Sequence, residues 1–539
     1  MAILWALAFP QFGSRWFQRI ESSFSRFAQR KALSVAAVGI LAVVARLAVL
    51  PFLPVPSPEI HDEFSYLLAA DTFVHARLTN PPHVMWMYFD TFHVNQHPTY
   101  ASIYPPAQGA VLALGQLLGQ PWIGVLLSVS IMCAAVLWAL QGWLPPQWAC
   151  FGGVLALLRL AVSSYWMNSY WGGAMAAIGG ALVIGALPRI LHFHRVRDAV
   201  ILGLGAAILA NSRPFEGLIS CLPVVAVLAL WLCRHRSPSW RETLPHVVLP
   251  LCAVMLLCGL FMGYYNRRLA GNAAVFPYEL NVRSRFAVPL LAWEKSVPPF
   301  HFLNPQFDAY YNVWWPSAAW STGRPDSLGH VAMTTAVNVW KFVRFFAWPD
   351  LCLPALALPW ILRDRRMRLL LVQITLCFAG FLLVALFQPH YAAPLTATTF
   401  ILITQGFRHI RHWRFRARPI GAGLVRAATL AALLLAPFHR YYVQLFPAVD
   451  QRARLAAQIE SDSGTDLVIV RYASNHNTHE EWVYNRADID RAEIVWAREI
   501  PGVSMQPLLD YFRDRNVWLV EPDETPPKLS RFTPPPLNR

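Results

Sequence analysis

Apolar runs long enough to cross a bilayer recur along most of this chain, with short basic stretches between them. A helix needs about 20 such residues to span the hydrocarbon layer. A chain that repeats the run many times is confined to a multi-span helical fold, because lipid satisfies no open backbone group. Composition agrees: 56% of the 539 residues are apolar and 14% are charged, against roughly 25% charged in soluble domains. That excludes a soluble enzyme and a disordered chain. The net charge of +15 does not point to nucleic acid, because the basic clusters are separated by spans instead of forming one surface.

Those clusters orient the chain. They are Arg15, Arg19, Arg26, Arg30 and Lys31; Arg189, Arg195 and Arg197; Arg234, Arg236 and Arg241; Arg363, Arg365, Arg366 and Arg368; and Arg408, Arg411, Arg414, Arg416 and Arg418. Short basic loops mark the cytoplasmic side. Residues 1–31 read as a cytoplasmic segment on the membrane surface, since apolar precedes basic, the reverse of a signal peptide. The domain from 32 to 437 then carries about 11 transmembrane helices, near 32–54, 121–141, 147–163, 172–190, 198–212, 215–233, 245–265, 349–362, 369–387, 391–407 and 419–437. Residues 106–119 are too short to span and read as an interfacial helix, as does 331–348 with Lys341 and Arg344 on an apolar face. External loops cover 55–105 and 266–330. Tyr165, Trp166, Tyr170 and Trp171, with Tyr310, Tyr311, Trp314 and Trp315, fall at outer ends, as aromatic belts do. The eight cysteines sit in or beside apolar runs with no CxxC pair, which reads as core packing.

From about 440 the composition becomes that of a soluble unit, and half of the chain's acids follow. DLVIVRYAS (466–474) and NVWLVEP (516–522) read as strands, PLLDYFRDR (507–515) as a helix, and AEIVWARE (492–499) as a further candidate strand. The expected fold class is therefore an all-α polytopic membrane protein with a small C-terminal α/β periplasmic domain at 440–525 and a proline-rich, extended tail at 526–539.

Chemistry is most concentrated in HDEFSYLLAADTF (61–73), just outside the first span. Asp62 and Glu63 are adjacent carboxylates near the membrane surface, although helix starts favour acids in any case and Pro58 with Glu59 suits such a start. Arg213, at the outer end of a span, is costly there unless it reaches the interface or serves a function. Five histidines, His61, His75, His83, His93 and His97, lie among Glu59, Asp62, Glu63, Asp71 and Asp90. Histidine with carboxylate suits zinc, but the spacing matches no standard ligand motif; a divalent metal stays open. Trp86, Tyr88, Phe89 and Phe92 read as interfacial packing rather than as a sugar platform.

The order of these features resembles the GT-C glycosyltransferases, in particular the bacterial branch with the protein mannosyltransferase, aminoarabinose transferase and Rgt-type enzymes. A long first external loop opens with His61-Asp62-Glu63-Phe64-Ser65-Tyr66. Tyr104-Pro105-Pro106 precedes the interfacial helix, and Gly119 to Trp122 turns into the next span. Asn211-Ser212-Arg213-Pro214 ends a small-residue span. His390-Tyr391 with Pro394 opens a span where the family often has Arg-Tyr. The resemblance covers roughly 30–410. It implies a sugar donor on a polyprenyl phosphate, a lipid, glycan or protein acceptor, an inner-membrane location with the active site on the periplasmic side, and no nucleic acid. It assigns the base to Asp62, with Glu63 as the second catalytic carboxylate, orienting a partner or the loop. Arg213, Arg283, Arg285, His390, Tyr391 and Asp71 are the candidate substrate-binding residues. Two other classes remain. A transporter or flippase of a lipid-linked substrate would be expected to show internal repeats and ionisable groups at mid-membrane; a scaffold would act only through its C-terminal domain.

Overall fold

The computed structural model describes residues 13–58, 60–234, 239–415, 418–435, 450–460 and 464–533. Expectations for 1–12, Glu59, Arg236, Arg416, the 436–449 stretch between the last span and the C-terminal unit, and 534–539 lie outside the described residues. The molecule is mostly helical. Five helices are long and apolar enough to cross a membrane: Lys31–Ala48, Pro121–Trp143, Ala174–Phe193, Pro214–Cys233 and Trp240–Ala270. Leu353–Arg363 and Ile420–Leu435 are shorter apolar helices.

Proline starts many of these elements, including Pro106, Pro121, Pro146 and Pro214, since the first turn lacks intrahelical acceptors for its N–H groups and proline has none to waste. The expected interfacial segments are helices at Pro106–Leu117 and Leu328–Phe346. Thr396–Arg411, preceded by a 3-10 stretch at Pro389–Leu395, is buried along most of its length.

The two ends of the bundle differ in kind. At one end the Ser14–Gln29 helix brings Glu21 to Arg411 (2.7 Å) and Arg426 (2.9 Å). Gln141 there donates to the Lys31 carbonyl at 3.0 Å. At the other end lie the His61–Val74 helix, a short antiparallel hairpin of β1 (Val94–Asn95) and β2 (Ala101–Ser102), and the C-terminal unit.

In that unit β3 (Asp466–Val470) is flanked by parallel β4 (Ile494–Arg498) and β5 (Asn516–Glu521). The tail is not separate: Lys528–Arg531 forms β6, antiparallel to β5. The strand's alternation decides how the unit is mounted. Val468 and Val470 face the Asp450–Glu460 helix through Leu455 and Ile459. Leu467 and Ile469 instead join a cluster with Leu68, Tyr88, Phe89, Val94 and Tyr100 of the first external loop. Both faces of the sheet are thus covered, which is why β3 reads as an unbroken apolar run.

Two expectations are corrected. Tyr165, Trp166, Tyr170 and Tyr311 are not a lipid-facing belt; they are 5% exposed or less. Tyr88, Phe89 and Phe92 are core residues that bind the external segments to one another, and only Trp86 keeps substantial exposure. External loops of this size need an interior of their own, and aromatic rings supply it with large buried area per residue.

Candidate active site

The His61–Val74 helix brings its first turn against Tyr104 and His93 at this end. Asp62 receives the hydroxyl of Tyr104 on Oδ1 and has His93 Nδ1 at 3.6 Å. Tyr104 also meets His93 Nδ1 at 3.0 Å. Among the described residues nothing bonds Oδ2, and the side chain keeps 24% of its surface accessible. Burial would raise the Asp62 carboxyl. The charge of His93, the hydrogen bonds from His93 and Tyr104 and the charge of His390 outweigh it and hold the group well below the usual carboxylate range. His93 has a left-handed backbone (φ 56°), which is strained for a residue with a Cβ. Its carbonyl accepts from Ser65 Oγ (2.6 Å) and the Ile103 N–H (3.3 Å), and these bonds fix the strained turn beside the carboxylate.

Close packing brings the cation to the acid. The Ala107 N–H donates to the Asn211 carbonyl at 3.0 Å, so Tyr104-Pro105-Pro106 and Asn211-Ser212-Arg213 are directly joined. Gly109 lies on the His61–Val74 helix, where a Cβ would come within 2.6 Å of the Ala69 methyl. Arg213 then stands over the Tyr391 ring, 4.7 Å from its centre, within electrostatic reach of Tyr66, Glu216 and Tyr104. Tyr66 stacks on Tyr104 at 4.5 Å. On the far side Gly180 admits the Pro394 carbonyl, which a Cβ would meet at 2.0 Å. This seats the turn carrying His390, which bonds Tyr165 Oη at 3.0 Å and lies within electrostatic reach of both Asp62 and Arg213.

Asp62, Arg213, His390 and Tyr391 are therefore brought together. The other candidates have different partners. Glu63 is 2% exposed and turned into the protein: Oε2 accepts from the Ile60 N–H (3.1 Å) and Oε1 from the Tyr170 N–H (2.8 Å). Asp71 accepts from Gln116 Nε2 (2.9 Å) and the Ala487 N–H (2.8 Å), which ties the C-terminal unit to the bundle. Arg285 is buried against Asp90 (2.6 Å) and over Phe307, joining the two external loops. Arg283 is exposed and pairs with Glu279. Asp71, Arg283 and Arg285 thus have structural partners away from Asp62.

Several site residues were not singled out from sequence. Tyr104 appears there only as a motif member and His93 only among the loop histidines. Tyr278, 6.4 Å from Tyr104, begins a helix in the second external loop. Tyr310 and Trp314 come from a π-helical turn, Asp308–Trp314, a geometry that recurs at functional sites. His479 enters from the C-terminal unit, with its ring 4.4 Å from Trp314. Among the described residues no three His, Cys, Asp or Glu groups gather as metal ligands. Three of the five loop histidines have other partners: His61 meets the Thr478 carbonyl, His93 meets Tyr104 and His83 meets Asp490.

No family model matches the chain, and no curated protein matches it. Solved structures do. ArnT from Cupriavidus metallidurans, in its structure bound to undecaprenyl phosphate, is 12% identical with a TM-score of 0.48, over 89% of this chain and 92% of that one. The Archaeoglobus fulgidus oligosaccharyltransferase tethered with an acceptor peptide is 10% identical with a TM-score of 0.41, over 91% and 69%. The same organism's AglB in complex with an inhibitory peptide and a dolichol-phosphate is 10% identical with a TM-score of 0.38, over 94% and 70%. A likeness of this size transfers no residue role.

Proposed function

We propose that this protein is an inverting membrane glycosyltransferase that moves a sugar from a polyprenyl-phosphate carrier to an acceptor hydroxyl on the outer face of a bacterial inner membrane. One observation carries the reading: among the described residues, a carboxylate with one oxygen fixed by Tyr104 and the other uncommitted shares Tyr66 and Tyr391 as neighbours with an arginine that forms no ion pair with a carboxylate. A polyprenyl-phosphate sugar keeps its tail in lipid and its phosphate at headgroup depth, so its reactive carbon belongs at the rim of a helical bundle. On this reading the His61–Val74 helix starts at that depth.

Asp62 Oδ2 accepts the proton of the acceptor hydroxyl as that oxygen attacks the anomeric carbon. The new bond is anomeric carbon to acceptor oxygen; the bond broken is anomeric carbon to phosphate oxygen. The electron pair leaves with the polyprenyl phosphate. Arg213, oriented by Tyr391, faces the charge that develops there, and fixed cations are most effective where charge appears only in the transition state. Glu63 orients the loop without touching the reactants. The depressed Asp62 carboxyl is ionised throughout the physiological range, so the base is always ready but intrinsically weak. Its efficiency then comes from orientation.

Eleven crossings, with the N-terminus inside and the C-terminal unit outside, account for the basic clusters. The Asp71–Ala487 bond supports part of this, because it puts the unit on the same side as Asp62. The test uses the purified full-length protein with a panel of radiolabelled undecaprenyl-phosphate hexoses and pentoses and envelope extract as acceptor. Transfer from one donor, lost in Asp62→Asn with unchanged thermal stability, is the expected result. Full activity in a well-folded Asp62→Asn protein overturns the assignment.

A further inference from the structure

The loop between β3 and β4 leaves the sheet and reaches the start of the His61–Val74 helix, and its flanks are pinned on both sides. The Ala473 N–H donates to Asp523 Oδ2 at 2.8 Å, and His476 Nδ1 meets Asp523 Oδ1 at 2.7 Å. Glu481 holds the Tyr472 hydroxyl, the Arg498 guanidinium and the Val483 N–H. The Thr478 carbonyl meets His61 Nε2 at 2.7 Å, one residue before Asp62. Phe64 stacks on Tyr484 at 4.2 Å just beyond.

At the centre of these fixed points stands His479. Its ring meets Trp314 edge-on at 4.4 Å, lies 5.7 Å from Tyr310, and is nearly parallel to His61 at 5.7 Å. His61, His93 and His390 each have a hydrogen-bond partner. Among the described residues nothing bonds the imidazole nitrogens of His479, and the residue is partly open. A loop tied down this heavily holds a partly open imidazole beside two aromatic rings, with its nitrogens available to a ligand's hydroxyl.

We propose that His479 is a substrate-contacting residue of the transfer site and hydrogen-bonds a hydroxyl of a saccharide acceptor whose ring lies against Trp314 and Tyr310. The proposal rests on the glycosyl-transfer reading above and adds the acceptor class to it. The wall is made of indole, phenol and imidazole, while Arg285 and Arg283 are committed to Asp90 and Glu279. Such a wall suits an uncharged, hydroxyl-rich ring better than a phosphate. Burial, and then the charge of His93, push the imidazole below its ordinary value. At neutral pH it therefore offers one donor and one acceptor, which is what a hydroxyl uses. On this view the C-terminal unit supplies part of the active site.

The experiment titrates the envelope acceptor fraction at saturating donor, using the full-length protein and the donor identified above. His479→Ala is expected to raise the half-saturating acceptor concentration roughly tenfold, the loss of about one hydrogen bond. Donor half-saturation and the thermal stabilisation by undecaprenyl phosphate should stay at wild-type values. His479→Gln, which keeps a donor and an acceptor, should recover most of the loss. Periodate treatment of the acceptor fraction, which cleaves sugar diols, should abolish transfer. An unchanged acceptor dependence in His479→Ala overturns the contact; loss of undecaprenyl phosphate stabilisation in that variant marks a structural role and overturns it too. Transfer that survives periodate overturns the saccharide. If the wild type transfers from no donor, the glycosyl-transfer reading itself fails, an outcome distinct from any of these.

Discussion

The two ends of the helical bundle, outer and inner in the topology proposed above, hold similar charges and use them differently. At the inner end Glu21 is closed upon by Arg411 and Arg426, and Arg189 donates to the Trp138 carbonyl (2.8 Å) while stacking on the Trp138 ring. At the outer end, among the described residues, Asp62 keeps an oxygen uncommitted, Arg213 rests on an aromatic ring, and the His479 nitrogens have no hydrogen-bond partner. Charges that set topology can be neutralised locally. Charges that act on a substrate must be oriented without being consumed, and aromatic rings and phenols do this at the outer end.

The largest expected effect is at Asp62. General-base catalysis typically contributes ~10²–10⁴-fold, so Asp62→Asn should lower kcat by about that range with an unchanged melting temperature. Arg213→Ala should follow, with a loss on the order of 10²–10³-fold if it stabilises the leaving phosphate as a fixed donor would. It should also lose the thermal stabilisation that undecaprenyl phosphate gives the wild type. A variant that keeps both would leave the outer end no different from the inner one.

Glu63→Ala sharpens the contrast within a single dipeptide. It removes the acceptor of the Ile60 and Tyr170 N–H groups, and a buried donor left alone costs about 1–3 kcal/mol. The expected readout is a lower melting temperature and lower yield, with far more residual activity per folded molecule than Asp62→Asn retains. Equal loss of kcat in the two variants, both folded, would make Glu63 a partner in the chemistry.

That pair also marks how far the sequence could be read. Span-length apolar runs and basic clusters are local properties, and they gave a helical bundle whose basic residues gather where Glu21 meets Arg411. The motif order named Asp62, Arg213, His390 and Tyr391, which lie at one end of the bundle because each closes a helix or opens one there. Residue type could not separate Glu63, Asp71 and Arg285 from them. A carboxylate that seals two backbone N–H groups and one that takes a substrate proton look alike until their partners are known, and the telling ones, Tyr170 for Glu63 and Tyr104 for Asp62, lie more than forty residues away. His479 was hidden for a related reason: a change in composition near 440 signals a separate soluble unit, and carries no sign that Leu467 and Ile469 seal that unit onto the first external loop.

The smallest expected effect is at the inner end. Glu21 is about one third exposed. Burial tends to raise its carboxyl, but the hydrogen bonds and charges of Arg411 and Arg426 outweigh that and lower it. A depressed carboxylate contributes stability that is present above its unfolded value and is lost as pH falls through the folded one. Exposed pairs of this kind are worth about 0–1 kcal/mol. Glu21→Gln should therefore lower the melting temperature slightly at neutral pH, and the gap from wild type should close as the pH is taken below the ordinary carboxylate range. Transfer kinetics should be unaffected, because both arginines are far from the reacting atoms. Thermal melts of the two proteins across that pH range, with kcat measured alongside at neutral pH, read both effects. A Glu21→Gln protein that melts normally yet transfers poorly would mean the inner end is coupled to the chemistry, and the division between the two ends would fail.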